Sequence, residues 1–140
     1  MIDSFQGNYR FLSNFWPARV ELGDVYYPTV EHDYQAAKTN DLSIRAAIRK
    51  NPNPANAKKL GRRLTIREDW DLFKIPVMRD LLAQKFAPQS DLAAALLATG
   101  EEMLVEGTTW GDTFWGICKG VGENQLGRLL MEQRDWLRSI

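Results

Sequence analysis

Two hydrophobic patterns follow each other along the chain, and together they predict an α+β fold that is mainly helical. On either side of Gly23-Asp24, apolar and polar residues alternate as they do in a β-hairpin, and glycine at the first turn position favours type II′. Apolar residues then recur at helical spacing. They predict helices over about residues 30–39, 42–49, 54–61, 70–86, 92–99 and 124–137, beside a few short antiparallel strands.

Some segments depart from this pattern or stand out within it. Residues 5–15, rich in aromatic side chains and interrupted by glycine and asparagine, predict a short strand and a loop, and residues 103–106 are another short-strand candidate. Residues 92–97 are almost wholly apolar and predict a buried helix. Residues 107–122 form a glycine-rich loop, and a long loop within a domain is often functional. In the last helix the residues expected to face the core are Leu126, Leu129, Leu130 and Leu137, with Trp136 beside them.

The helix predicted to begin at residue 30 carries polar side chains where apolar ones are expected. Thr29 suits its N-cap, because the hydroxyl can accept a backbone N–H of the first turn. The residues at positions i, i+3, i+4 and i+7 lie on one face, and they are Glu31, Tyr34, Gln35 and Lys38. This face can form a polar site. The alternative for Glu31 is a solvated carboxylate favoured by the helix dipole.

Composition and charge narrow the class of protein. A chain of 140 residues suits a single domain over residues 1–140 and can bury a core without disulfides. The formal net charge is zero, so long-range attraction to nucleic acid or to an anionic membrane is not expected. The single cysteine, Cys118, favours a reducing, cytoplasmic location. We expect no membrane association, because no segment approaches the ~20 apolar residues of a membrane span.

The glycine-rich loop contains a second candidate acid. Asp112 lies between Trp110 and Trp115 with glycines nearby, a setting in which desolvation can tune a carboxyl group. The alternative is a turn aspartate with a structural role. Lys119 precedes Gly120-Val121-Gly122, whose backbone N–H groups can bind a phosphate.

Four cations lie at the end of the helix predicted over residues 54–61: Lys58, Lys59, Arg62 and Arg63. One interpretation is favourable placement of positive charge at the negative end of the helix dipole. The other is a phosphate-binding patch, and the sequence leaves both open.

Several common chemistries are excluded by what the sequence lacks. His32 is the only histidine, and with one cysteine it cannot complete a His/Cys zinc site. No G-x-S-x-G elbow supports a histidine triad, and neither a Walker A nor a G-x-G-x-x-G pattern is present. The chemistry must therefore come from the polar residues that the structural patterns do not explain.

The order and spacing of several segments resemble the NADAR family of YbiA-like N-glycosidases over nearly the whole chain. The segments are FLSNF at 11–15, YPTVEHDYQAAK at 27–38, Gly61-Arg62 with Trp70, VMR at 77–79 with Lys85-Phe86, LLATG at 96–100, DTFWG at 112–116 and NQLGRLLM at 124–131. The resemblance implies a YbiA-like α+β fold. It also implies an enzyme that hydrolyses the C–N bond at the anomeric carbon of a ribose.

Two substrate classes are implied by the resemblance. One is the ribosylamino-pyrimidine phosphates of early riboflavin synthesis. The other is ADP-ribose on guanine, free or in nucleic acid, from which the enzyme would remove the modification. No cofactor and no metal are implied. A non-catalytic ADP-ribose or nucleotide-binding module is the alternative, since it would use the same aromatic and basic residues without needing Glu31.

The resemblance also implies roles for individual residues. Glu31 is the leading catalytic carboxylate, and Trp70, Asp112 and Trp115 line the site. The chemistry of the reaction adds Asp112 as a partner of Glu31, and we expect the first helix to work against the glycine-rich loop. Lys38 can hold Glu31, bind a phosphate or attack the opened sugar as an amine. Cleavage of an N-glycosidic bond passes through an oxocarbenium-like state that needs a nearby anion and a proton for the departing nitrogen. The predicted substrate-binding residues are Asn14, Phe15, Gln35, Arg62, Trp70, Trp110, Trp115 and Lys119.

Overall fold

The computed structural model describes residues 1–140, and their contacts group them into two units. One unit is Asn14–Lys85, and the other combines Met1–Ser13 with Phe86–Ile140. Six α-helices, one 3₁₀ helix and four short strands confirm the predicted α+β class. No helix is both long enough and apolar enough to cross a membrane.

The unit of residues 14–85 begins with the predicted hairpin. Strand β1 (Pro17–Leu22) pairs antiparallel with β2 (Val25–Thr29). Both turn residues are left-handed, with φ of 51° at Gly23 and 64° at Asp24, so the turn is type I′ and the predicted type II′ is wrong. Aspartate tolerates the left-handed region, which allows the turn whose twist matches the flanking strands.

Helix α1 (Val30–Ala37) follows directly and is the centre of this unit. Its N-cap is Thr29, whose Oγ1 accepts the backbone N–H of His32, as predicted. The helix ends at Ala37 rather than at Thr39. It packs against the hairpin and against the three helices that follow it, and all eight of its residues are buried.

Three helices pack against α1, and two of them have side-chain N-caps. Helix α2 (Leu42–Lys50) is capped by Asp41, and α3 (Pro54–Arg63) is capped by Asn53 with Pro54 at its start, where proline is well tolerated. Helix α4 (Trp70–Lys85) contains Pro76. Because α3 continues to Arg63, Gly61 lies inside this helix rather than at its end.

The other unit departs further from the predictions. Residues Gly7–Leu12 form the 3₁₀ helix in place of the predicted strand, after Gly7 takes a φ of 57°. The strand predicted over 103–106 is reduced to one bridge, between Leu104 and Ile2. The Asn124 side chain donates to the Leu104 carbonyl and accepts the Glu106 N–H. These two hydrogen bonds use backbone groups that a neighbouring strand would otherwise bind.

The helices of this unit each bury one face. Helix α5 (Asp91–Ala98), capped by Ser90, buries only Ala93 and Leu96, so the predicted fully buried helix is wrong. The glycine-rich loop contains two short strands, β3 (Gly107–Thr108) and β4 (Ile117–Cys118), which run parallel rather than antiparallel. Helix α6 (Gln125–Ser139) buries the leucines predicted to face the core, whereas Trp136 is 48% exposed.

We predict that Thr29→Ala lowers the free energy of unfolding by about 1–2 kcal/mol, because the N-cap of a buried helix loses its acceptor. The same hydroxyl is 2.7 Å from Nδ1 of His32, so a second buried contact is lost. Urea unfolding followed by circular dichroism measures the change. Thr29→Ser keeps the hydroxyl and is the control; equal stability of the two variants would contradict the capping role.

Candidate functional site

The polar side chains of α1 are buried together with its apolar ones. Glu31 is 7% exposed, Gln35 is 3% exposed and His32 is fully buried. The alternative interpretation of Glu31 as a solvated carboxylate is therefore wrong. Isolated charges and amides are costly to bury, so this helix must provide partners for them or tolerate the cost.

Glu31 and Gln35 form a hydrogen-bonded pair one helical turn apart. The Gln35 amide Nε2 donates to Glu31 Oε1 at 2.9 Å. The amide oxygen on the other side of the same group, Oε1, is buried and has no hydrogen-bond partner. Leaving a buried carbonyl without a hydrogen bond costs about 1–3 kcal/mol. The amide is therefore oriented to donate to Glu31, although its own oxygen then has no hydrogen bond.

Asn14 holds the start of α1 through its backbone. Its carbonyl accepts the Glu31 N–H at 3.1 Å. Its side-chain Nδ2 lies 3.8 Å from the sulfur of Met78, and its Oδ1 is buried without a partner. Phe15, the next residue, is 36% exposed. The structure therefore places Asn14 at the helix end that carries Glu31, with Phe15 next to it in the chain.

Lys38 lies at the C-cap of α1 on the same face as Glu31. Burial lowers the pKa of its ammonium, and the positive charges of Lys58 and Arg62 lower it further, while the negative charge of Glu31 opposes them. The balance favours the neutral amine more than in an exposed lysine. The ammonium also lies 5.2 Å from the centre of the Tyr34 ring.

Trp70 and Tyr34 form an aromatic wall beside this lysine. Their ring centroids are 5.3 Å apart and the rings are inclined by 58°. Trp70 is only 6% exposed and Tyr34 is 7% exposed. Trp70 therefore packs against Tyr34, and a planar ligand has little of its ring surface available for stacking.

His32 is occupied structurally on both ring nitrogens. Nδ1 is 2.7 Å from Thr29 Oγ1, and Nε2 is 2.7 Å from the backbone carbonyl of Asn51. Burial lowers its pKa, while the bond to Asn51 opposes that shift. The ring therefore joins the start of α1 to the end of α2, and both of its nitrogens are used in structural contacts.

The glycine-rich loop lies in the unit that contains α5 and α6. Asp112 Oδ1 accepts the backbone N–H groups of Phe114 at 3.1 Å and of Trp115 at 2.9 Å. This is the structural turn role that the sequence left open for Asp112. Trp110 is 50% exposed, and Lys119 is exposed with a φ of 51°. The expected pairing of this loop with α1 stays a prediction.

The sequence reasoning missed Asp33. This side chain is 1% exposed, and both carboxyl oxygens lack hydrogen-bond partners. Burial raises its pKa to about 8, the charge of Asp80 adds to the effect, and Arg45 opposes it. Neighbouring Tyr27 also has a raised pKa, through burial and the charge of Asp33. No sequence signal could have found it, because periodicity showed that α1 has a polar face but not that its other sides are covered.

We predict that Asp33 makes folding stability fall as pH rises. Its pKa is near 3.8 when unfolded and about 8 when folded, so between these values the folded state holds a proton that the unfolded state has released. The free energy of unfolding then decreases by up to about 1.4 kcal/mol per pH unit and levels off above pH 8. Asp33→Asn removes this dependence and gains stability relative to wild type as pH rises.

Urea titrations from pH 4 to pH 9 measure this slope. Asp71→Asn is the matched control, because the Asp71 side chain is 91% exposed. It should leave the slope of the wild type unchanged. Parallel pH profiles for wild type and Asp33→Asn would contradict a neutral Asp33 in the folded protein.

Three comparisons with known proteins agree on a family. The model of the NADAR domain matches residues 3–138. An N-glycosidase of Nostoc punctiforme is 40% identical over 138 residues, covering 94% of this chain and 88% of the relative. The N-glycosidase YbiA of Escherichia coli is 40% identical over 139 residues, covering 96% and 85%.

Two further matches concern pathway and fold. A riboflavin biosynthesis protein of Vibrio vulnificus is 37% identical over 134 residues, covering 94% of this chain but only 36% of that longer protein. The NMR structure of E. coli YbiA matches with a TM-score of 0.85 at 38% identity, over 99% of this chain and 85% of the solved chain. These relatives favour an enzyme over the alternative of a non-catalytic binding module.

Proposed function

The chain belongs to the NADAR family and is an N-glycosidase, and we propose that Glu31, Gln35 and Lys38 on one face of α1 form its catalytic face. The observation that carries this proposal is the buried Glu31 carboxylate, held by the Gln35 amide at 2.9 Å on the helix that bears the half-buried Lys38. Polar groups are buried at this cost mainly where function requires them.

The proposed role of Glu31 follows from the reaction. As the C–N bond of an N-riboside lengthens, positive charge develops at the anomeric carbon. A carboxylate in a low-dielectric setting stabilises that charge strongly, and it can also accept a proton from an attacking group. The Gln35 amide fixes one oxygen of Glu31 and thereby directs the carboxylate.

Lys38 is proposed as the amine that attacks the sugar. Ring opening of an N-riboside gives an open-chain iminium, and the neutral Lys38 amine adds to its C1. The Lys38 nitrogen, positively charged after the addition, passes a proton to the nitrogen of the base, and the C1–N bond to the base breaks. Water then hydrolyses the resulting Lys38 imine to release the sugar aldehyde and the lysine amine. The lowered pKa of Lys38 supports this role because only the neutral amine is nucleophilic.

The proposed substrate is an N-riboside with a 5′-phosphate, of the ribosylamino-pyrimidine class. The name of the Vibrio relative, a riboflavin biosynthesis protein, supports this class. The positive charges of Lys58 and Arg62 act on Lys38, and such charges suit a phosphate. ADP-ribosyl-guanine carries the same bond and a pyrophosphate at the same carbon, so it is the second substrate to test. We keep the other residues predicted from the sequence as proposed contacts to the substrate. They are Asn14 and Phe15, and Trp110, Asp112, Trp115 and Lys119 of the glycine-rich loop.

We predict that Glu31→Gln lowers kcat by about 10²–10⁴-fold with little change in substrate affinity, because the charge is lost but the shape is kept. Chromatography of the released base, with each of the two substrates, measures the rate. Glu68→Gln changes an exposed carboxylate and is the control. Wild-type kcat in Glu31→Gln would contradict the role of Glu31, and release from neither substrate by wild type would contradict the proposed substrates.

A second prediction separates the charge of Lys38 from its nucleophilicity. Lys38→Arg keeps the positive charge but cannot form an imine, so we expect it to lose turnover as completely as Lys38→Ala. Sodium borohydride added during turnover should trap the sugar on wild type, seen by mass spectrometry of the peptide that contains Lys38. Full activity of Lys38→Arg, together with no trapped adduct on the wild type, would contradict the nucleophilic role and leave Lys38 a role in electrostatic binding.

A further inference from the structure

We infer that Gly61 is a positioning residue, which keeps the Gln35 amide on the Glu31 carboxylate. The inference rests on the proposed role of Glu31. Gly61 lies on α3, and because glycine has no side chain it cannot contact the substrate with one. The link is the packing of α3 against α1.

The geometry shows why glycine stands at this position. A Cβ on residue 61 would lie 1.9 Å from Gln35 Oε1 and 2.6 Å from Gln35 Cδ, far inside contact distance. Gly61 does not take a left-handed φ, so its backbone conformation does not require glycine. The space is needed instead, and the Gln35 amide occupies it.

The orientation of the amide shows what this space is used for. Gln35 Oε1 points into the gap at Gly61 and finds no hydrogen-bond partner, while Nε2 on the other side donates to Glu31. Without the gap, the amide could not reach this orientation. Gly61 therefore controls a hydrogen bond to the carboxylate although it lies on a different helix.

Substitution at this position should affect the amide and little else. The atoms closest to a new Cβ belong to the end of a flexible side chain, which can rotate away, and the nearest atom of fixed position is Gln35 Cβ at 3.1 Å. Alanine is also a better helix former than glycine. Gly61→Ala should therefore remain folded, yet lose the bond from Gln35 to Glu31.

The experiment is a double-mutant cycle of Gly61→Ala and Gln35→Ala in the base-release assay. We expect each single variant to lower kcat about tenfold or more with little change in KM, which is the effect of one hydrogen bond to a charged group. The acid limb of the pH–rate profile should move to higher pH in both. The double variant should match Gln35→Ala alone, because Gly61 acts only through Gln35.

Ala57→Gly is the matched control. Ala57 is buried on the same face of α3, one turn before Gly61, and glycine there should lower the melting temperature without lowering kcat. Wild-type kcat in Gly61→Ala, additive losses in the double variant, or a kcat loss that follows melting temperature across these variants would overturn the inference. Glu31→Gln in the same assay tests the proposed function separately: an active Glu31→Gln would refute that proposal, whereas an inactive one with an active Gly61→Ala would refute only this inference.

Discussion

Helix α1 is buried on all sides although half of its residues are polar, and the arrangement of residues 14–85 depends on how those groups are accommodated. The Gln35–Glu31 hydrogen bond is the central interaction. It satisfies one carboxylate oxygen inside the protein, at the expense of an amide oxygen that has no partner. Such an arrangement favours function over stability, because an apolar pair would pack here without a desolvation cost.

The buried polar side chains on different sides of α1 are stabilised in different ways. Burial lowers the pKa of Lys38, and the negative charge of Glu31 on the same face opposes that shift. His32 is satisfied by hydrogen bonds at both ring nitrogens. Asp33 has neither a hydrogen bond nor a dominant counter-charge, so its raised pKa keeps it neutral at ordinary pH. Helix α1 and its C-cap residue Lys38 thus present a charged face and a neutral polar side.

Close packing between helices α1 and α3 links the fold to the chemistry. Electrostatic interactions strengthen as water is excluded, so a carboxylate shielded in this way interacts more strongly with a developing positive charge. The Gln35 amide occupies the gap that Gly61 leaves, which is why an atom as small as a Cβ at Gly61 matters. Precision in the orientation of Glu31 is therefore a property of helix packing as well as of the residues that bear charge.

The predictions from sequence succeeded where the interactions are local. The cap at Thr29 was predictable because a capping side chain reaches only two or three residues along the chain. The hairpin was predictable for the same reason, although its turn type was not. The apolar segment 92–97 was misjudged because composition gives a tendency to be buried, whereas actual burial depends on how many neighbours cover a helix.

The sequence by itself therefore determined the helices, their caps, the resemblance to the NADAR family and the single polar face with Glu31 and Lys38. Tertiary structure alone decided that this face is buried, that burial raises the pKa of Asp33 and that Gly61 makes room for the Gln35 amide. The physical reason is the range of the interactions. Helix periodicity and capping act over a few neighbouring residues, whereas desolvation and steric exclusion are set by segments far away in the chain.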